Sequence, residues 1–182
     1  MKFIRFALIL PFLLFFAIIP DYAAAASASE LTRNAQNSLQ RLVDNSSKAL
    51  RLSREAKAVL IFPSIVKAGF LVGGQFGEGV LLRDGKPKGY YNTVAVSYGL
   101  QIGAQKYGYA LFFMTDDAMK YLDKSDGWEL GTAPSIVVID SGATGGVSTT
   151  TAQSDMYAFF FGQKGLMAGL GLQGTKITKI EK

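Results

Sequence analysis

The stretch FPSIVKAGFLVGGQFGEGVLL, Phe62 to Leu82, sets five glycines (Gly69, Gly73, Gly74, Gly77 and Gly79) among bulky apolar residues. It can be read as a phosphate-cradling loop or as a strand whose backbone lies close against another element. Parity separates the two. From Gly69 to Arg83, Phe70, Val72, Phe76, Val80 and Leu82 fall on even positions, whereas Gly69, Gly73, Gly77 and Gly79 fall on odd ones. Successive strand side chains point to opposite faces, so one face is bulky and the other nearly bare. A bare face admits close approach, and glycine there also permits bulges and bends. A phosphate cradle needs exposed amides opening a helix, with Gly-Lys-Ser/Thr or G-x-G-x-x-G. The stretch has neither, and it reads as strand.

The same alternation recurs in SYGLQIGAQ (97–105) and GLMAGLGLQG (165–174). Tyr107 to Met114 and Met156 to Phe161 are apolar on both faces, as central strands are. Between them Thr115 caps a helix with Asp116 and Asp117 in its first turn and Ala118, Tyr121 and Leu122 on its buried side. Upstream, Ser27 and Glu30 form a capping box, and Leu31, Ala35, Leu39, Leu42 and Val43 follow at helical spacing. Asp44-Asn45-Ser46-Ser47 interrupts this helix. A second helical piece, about Lys48 to Lys57, leads into a strand from Val59 to Phe62 that Pro63 ends. The expected class is α+β: an N-terminal helical region, then a curved, glycine-rich antiparallel sheet or partly closed barrel packed with a few helices.

Lys2 and Arg5 precede an apolar run from Phe6 to Ile19, and Ala24, Ala26 and Ala28 offer A-x-A cleavage patterns. The run is short for a membrane span, which needs about 20 residues. Residues 1–26 therefore read as a signal peptide cleaved near Ala26 or Ala28, and 27–182 as a single domain of an exported, periplasmic or secreted protein, peripheral to a membrane. With no cysteine the chain is not a lipoprotein and has no disulfides. At 182 residues, 49% hydrophobic and 18% charged, it can bury a core. A net charge of +5 suits an anionic partner without naming one.

Four blocks in order resemble the SYLF domain family: FPSIVKAGFLVGGQFGEGVLL, SYGLQIGAQ, DAMKYLDKSDGWELG and GQKGLMAGLGLQGTKITKI. The resemblance spans about Leu39 to Ile180. It implies a lipid-binding domain; some eukaryotic members also bind actin, a partner not expected of an exported relative.

The absence of histidine and cysteine excludes Ser-His-Asp and Cys-His catalysis and zinc sites built on those ligands. Asp116 and Asp117 suit a helix N-terminus. Asp123 to Glu129 lacks the alternation of a calcium loop, and Gly142 to Gly146 lacks the lysine of a P-loop. No enzymatic activity, metal or cofactor is expected, and no nucleic-acid motif accompanies the charge.

The basic region from Glu30 to Lys57 carries Arg33, Arg41, Lys48, Arg51, Arg54 and Lys57 against Glu30, Asp44 and Glu55. Arg51, Arg54 and Lys57 recur at about one turn beside Leu50 and Leu52. Such a segment lies on anionic membrane surfaces, each cation contributing about 1 kcal/mol near the headgroups. It is equally the composition of a solvated helix face whose leucines pack on a sheet. The candidate lipid-binding residues are Arg41, Lys48, Arg51, Arg54, Lys57 and Lys67. The expected partner is an anionic lipid or membrane surface. The alternative is an envelope structural or interaction module whose aromatic sheet, at Phe159, Phe160 and Phe161, meets a protein.

Overall fold

A computed structural model describes residues 26–123, 128–129, 135–140, 154–165 and 174–182. The proposed signal segment up to residue 25, the Gly142–Gly146 loop, most of the Asp123–Glu129 turn and most of GLMAGLGLQG lie outside the described residues.

The chain opens with two helices, α1 (Ala28–Asn45) and α2 (Ser47–Glu55). The Ser27 hydroxyl accepts from the Glu30 amide at 3.2 Å, which satisfies one of the amides left free at the helix start. Ser46 ends α1 and caps α2, its hydroxyl accepting from the Ala49 amide. Leu31, Ala35, Ser38 and Leu42 form the buried stripe of α1, and Ala49 and Leu52 that of α2.

Two long strands follow, β1 (Ala58–Arg83) and β2 (Lys86–Phe113), joined by Asp84 and Gly85. Both turn residues have positive φ, 51° and 71°, which gives the two-residue hairpin its tight geometry. Pro63 does not end a strand as expected. It sits at a register shift between Phe62 and Ile65, where the ladder needs no amide from it.

The hairpin folds back on itself. A side chain on Gly69 would strike the Gly73 Cα, so β1 turns sharply just beyond it. A Cβ on Gly77 would come 2.6 Å from Ile65 Cγ1 and 2.9 Å from the Ser64 carbonyl, and one on Gly79 would come 2.6 Å from the Ile61 carbonyl. The second element that the bare glycine face admits is thus the first half of the same strand. β2 bends with it: the Tyr109 hydroxyl donates to Thr93 Oγ1 at 2.8 Å, and the Tyr107 hydroxyl to Gln75 Oε1 at 2.7 Å.

The remaining strands extend this frame. β5 (Met156–Gly165) pairs with the last third of β2, and β6 (Lys176–Ile180) with Tyr90 to Val94 near its start. The short β3 (Trp128–Glu129) pairs with β6, and β4 (Ile136–Asp140) runs parallel to β5. The sheet is α+β and curved as expected, but mixed rather than purely antiparallel, and among the described residues it does not close.

Two apolar clusters divide the core. One, inside the folded sheet, contains Phe62, Tyr109 and Phe160 and receives Ala118 and Leu122 from α3 (Asp116–Asp123). The other lies under α1 and α2 and contains Ile61, Val80, Phe112 and Phe159. Phe159 and Phe160 are fully buried, on opposite sides of β5, so they belong to the core and not to a partner-binding face.

Candidate lipid-binding surface

The six residues singled out in the sequence do not share one face. Helix α2 buries Ala49 and Leu52, and this turns Leu50, Arg51 and Arg54 to solvent. Leu50 is 36% exposed, and Arg51 and Arg54 beside it are exposed too. Lys48 is half-buried beside them. Burial, and then the Arg51 charge, hold its ammonium below the ordinary lysine range. An anion reaching this face would relieve the second of these effects.

Lys57 is exposed but already paired. Its ammonium meets Asp116 Oδ2 at 2.8 Å and ties the end of the helical region to α3. That hydrogen bond, aided by the Lys57, Lys120 and Arg83 charges, holds the Asp116 carboxyl below the usual carboxylate range. Asp117 is paired in the same way with Lys120 at 2.9 Å. The two aspartates therefore sit in the first turn of α3 and carry ion pairs.

Lys67 is corrected from the surface to the interior, at 8% exposure. The irregularity between Phe62 and Ile65 shifts the parity of β1, so Ile65 and Lys67 point inward opposite Tyr107 and Gln105. Gln75, Thr93, Gln105 and Thr175 are buried polar neighbours in this part of the sequence frame, with Gln75 Nε2 donating to Thr175 Oγ1 at 3.3 Å. Ile65 packs against Gly77 and Phe62 against Gly79, so among the described residues these two glycines face side chains and not a cavity.

Arg41 leaves the group as well. It projects from the last turns of α1 into a cleft that Lys106 and Lys164 also line. Sequence reasoning missed both lysines, because each stands alone in a strand and only the β2–β5 pairing brings them together.

A second surface stands out on the hairpin. Phe76 and Val94 face each other across β1 and β2, and Val96 and Val72 lie on the next rows of the same face. All four are exposed, Phe76 at 53% and Val96 at 58%. The neighbouring row, Glu78 and Asn92, is tied to the chain end by the 2.8 Å Lys182–Glu78 ion pair.

The family model described as Ysc84: Las17-binding protein actin regulator matches residues 94–182. This is the SYLF domain family that the sequence resembles, and the match covers just under half of the chain. It is a family of binding domains. The match starts inside β2 and takes in α3 and β3 to β6, while α1, α2 and β1 lie before it. None of the curated proteins matches the chain. Among the described residues no helix is long and apolar enough to cross a membrane, a statement that leaves strands aside. Among the same residues no three His, Cys, Asp or Glu side chains stand together as a metal site.

Proposed function

We propose that this SYLF domain is a non-enzymatic lipid-binding module of the cell envelope that docks on anionic membrane through the outer face of α2. The observation that carries the reading is Leu50, solvent-exposed on the same helix face as Arg54, with Arg51 exposed next to it in the chain. A lone leucine on a polar face gains little in water, but it inserts among acyl chains while flanking cations meet phosphates. Lys48 adds a charge whose protonation such contact favours. Export under the N-terminal leader belongs to this proposal, and it sets the actin partner of the family's description aside for this chain.

The test is vesicle flotation of the chain as processed by the cell that expresses it, with phosphatidylglycerol graded into phosphatidylcholine at low and high salt. Bound fraction rises with anionic lipid and falls with salt, because exposed charges are screened beyond about 8 Å at physiological ionic strength. Two cations at about 1 kcal/mol each predict a loss of roughly 30-fold in partitioning for R51A/R54A. Equal binding to neutral vesicles, or no change in the variant, would sink the reading.

A second reading is an interaction module without lipid specificity. The contiguous apolar face of Val72, Phe76, Val94 and Val96 favours it, because exposed patches of this kind mark association surfaces.

A further inference from the structure

Lys106 and Lys164 are directly opposed across the β2–β5 ladder. Like charges in that position destabilise a sheet, and strands ordinarily place an opposite charge or a neutral residue there. Arg41 lines the same cleft from α1, so three cations border a cavity of about 550 Å³. Among the described residues no acidic residue lines it and no carboxylate pairs with any of the three.

The rest of the wall suits a small oxyanion on an organic body. Ser38 is buried and accepts from an Arg41 guanidinium nitrogen at 3.1 Å, which steadies the guanidinium toward the cleft. Between Lys106 and Gly108 the ladder slips by a residue, and Gly162, at φ 64°, forms the bulge on the β5 side. A Cβ at Gly162 would meet nothing within 4 Å, so the backbone there is open to a ligand. Bulges of this kind free amides from the ladder and recur beside functional sites. Leu42 and Phe161 supply an apolar flank.

We propose that this cleft binds the phosphoryl group of an organic phosphate, with Arg41 as the forked donor and Lys106 and Lys164 as the point charges. Guanidinium matches phosphate oxygens two at a time, and ammonium groups neutralise the remaining charge. Bound phosphate would convert the Lys106–Lys164 repulsion into a shared attraction, which gives the opposed lysines a reason to be there. The site goes beyond the α2 surface. It uses none of Leu50, Arg51 or Arg54, and it holds whether or not that helix docks on a membrane. The phosphate can come from a lipid headgroup or from a soluble ester, and the chemistry is the same.

The test titrates the processed chain with inorganic phosphate and with glycerol phosphate by calorimetry, and separately with vesicles of phosphatidic acid in phosphatidylcholine. Saturable binding of the soluble anions assigns a free ligand. Cleft-dependent binding of the vesicles alone assigns a lipid headgroup, and either result supports the site. K106Q/K164Q should weaken the binding at least tenfold, Arg41→Lys less, and R51A/R54A should leave the soluble anions within twofold. Vesicle binding that R51A/R54A leaves unchanged, with phosphate binding to the cleft intact, would refute the surface reading and not this one. In the ligand-free state K106Q/K164Q should unfold at a higher temperature than the parent, and phosphate should raise the midpoint of the parent alone. The proposal is overturned if no probe binds the parent, or if K106Q/K164Q and Arg41→Gln both bind as the parent does.

Discussion

The two halves of β1 solve opposite problems with the same alternation. Its first half, Ala58 to Ile65, is bulky on both sides: Leu60 and Phe62 point into the folded sheet, Val59 and Ile61 toward the helices. Its second half, Gly73 to Leu82, is bare on the inner side at Gly73, Gly77 and Gly79 and bulky on the outer side. The first half supplies the volume and the second supplies the room, so the strand can lie against itself. Gly77 and Gly79 of the opening stretch therefore admit a close backbone contact.

The largest effect is expected where that contact is tightest. A Cβ at Gly79 falls 2.6 Å from both the Ile61 carbonyl and Phe62 Cδ1, and a carbonyl cannot move aside as a side-chain tip can. Gly79→Ala should cost about 3 kcal/mol, the upper part of the range for forcing atoms into a packed site. Gly74 sits in the same half on the outer side, and its nearest neighbour would be 3.9 Å away. Gly74→Ala should change stability by no more than about 0.5 kcal/mol. Urea unfolding of both variants checks the pair, and equal costs would break the distinction between the two faces.

The bare odd face, the capped helices at Ser27 and Thr115 and the central strands Tyr107 to Met114 and Met156 to Phe161 were all legible in the sequence, because each is a local pattern. The identity of what fills the bare face was not. Ile61 and Phe62 approach Gly79 only because the strand bends between Gly69 and Gly73, and no local pattern says where a long strand turns. The burial of Lys67 was not legible for a related reason: the register shift between Phe62 and Ile65 reverses the facing of β1. Of the candidate site, Arg51 and Arg54 follow from helical spacing and remain on the surface. The Lys57–Asp116 ion pair was not legible because the two residues are distant in sequence, and Lys106 and Lys164 were missed because strand register is a tertiary fact.

A middle-sized effect comes from the polar bond that links the two halves. The Tyr107 hydroxyl donates to Gln75 Oε1, and Gln75 is buried. Tyr107→Phe leaves that oxygen without its donor and should cost about 1–3 kcal/mol. It should also alter the alkaline limb of stability. Burial pushes the Tyr107 phenol up to about 12, whereas a tyrosine in the unfolded chain ionises near 10. A folded pKa above the unfolded one means stability that is complete below about pH 10 and is lost as pH climbs toward 12. Tyr109 is raised in the same direction, mainly by burial, so the loss persists in the variant but is shallower. An unchanged slope between pH 10 and 12 would mean that the fold opens at Tyr107 before its phenol titrates.

The smallest effect on stability is expected on the outer face, where the comparison meets function. Phe76 is half-exposed, with Val94 across the ladder and Val96 on the next row. If water covers this face, Phe76→Ser should shift the urea midpoint by no more than about 0.5 kcal/mol equivalent. A core phenylalanine differs sharply, since removing a side chain such as Phe160 costs about 3–5 kcal/mol. A second copy of this chain seated on the patch would change the outcome: the cost would grow with protein concentration, because a partner that binds only the folded state stabilises it by mass action. Sedimentation of parent and Phe76→Ser across concentration separates the two cases. A monomeric parent removes self-association as the use of this face. A parent dimer that Phe76→Ser dissociates would show that the bulky side of the second half of β1 packs as the first half does, but against another molecule.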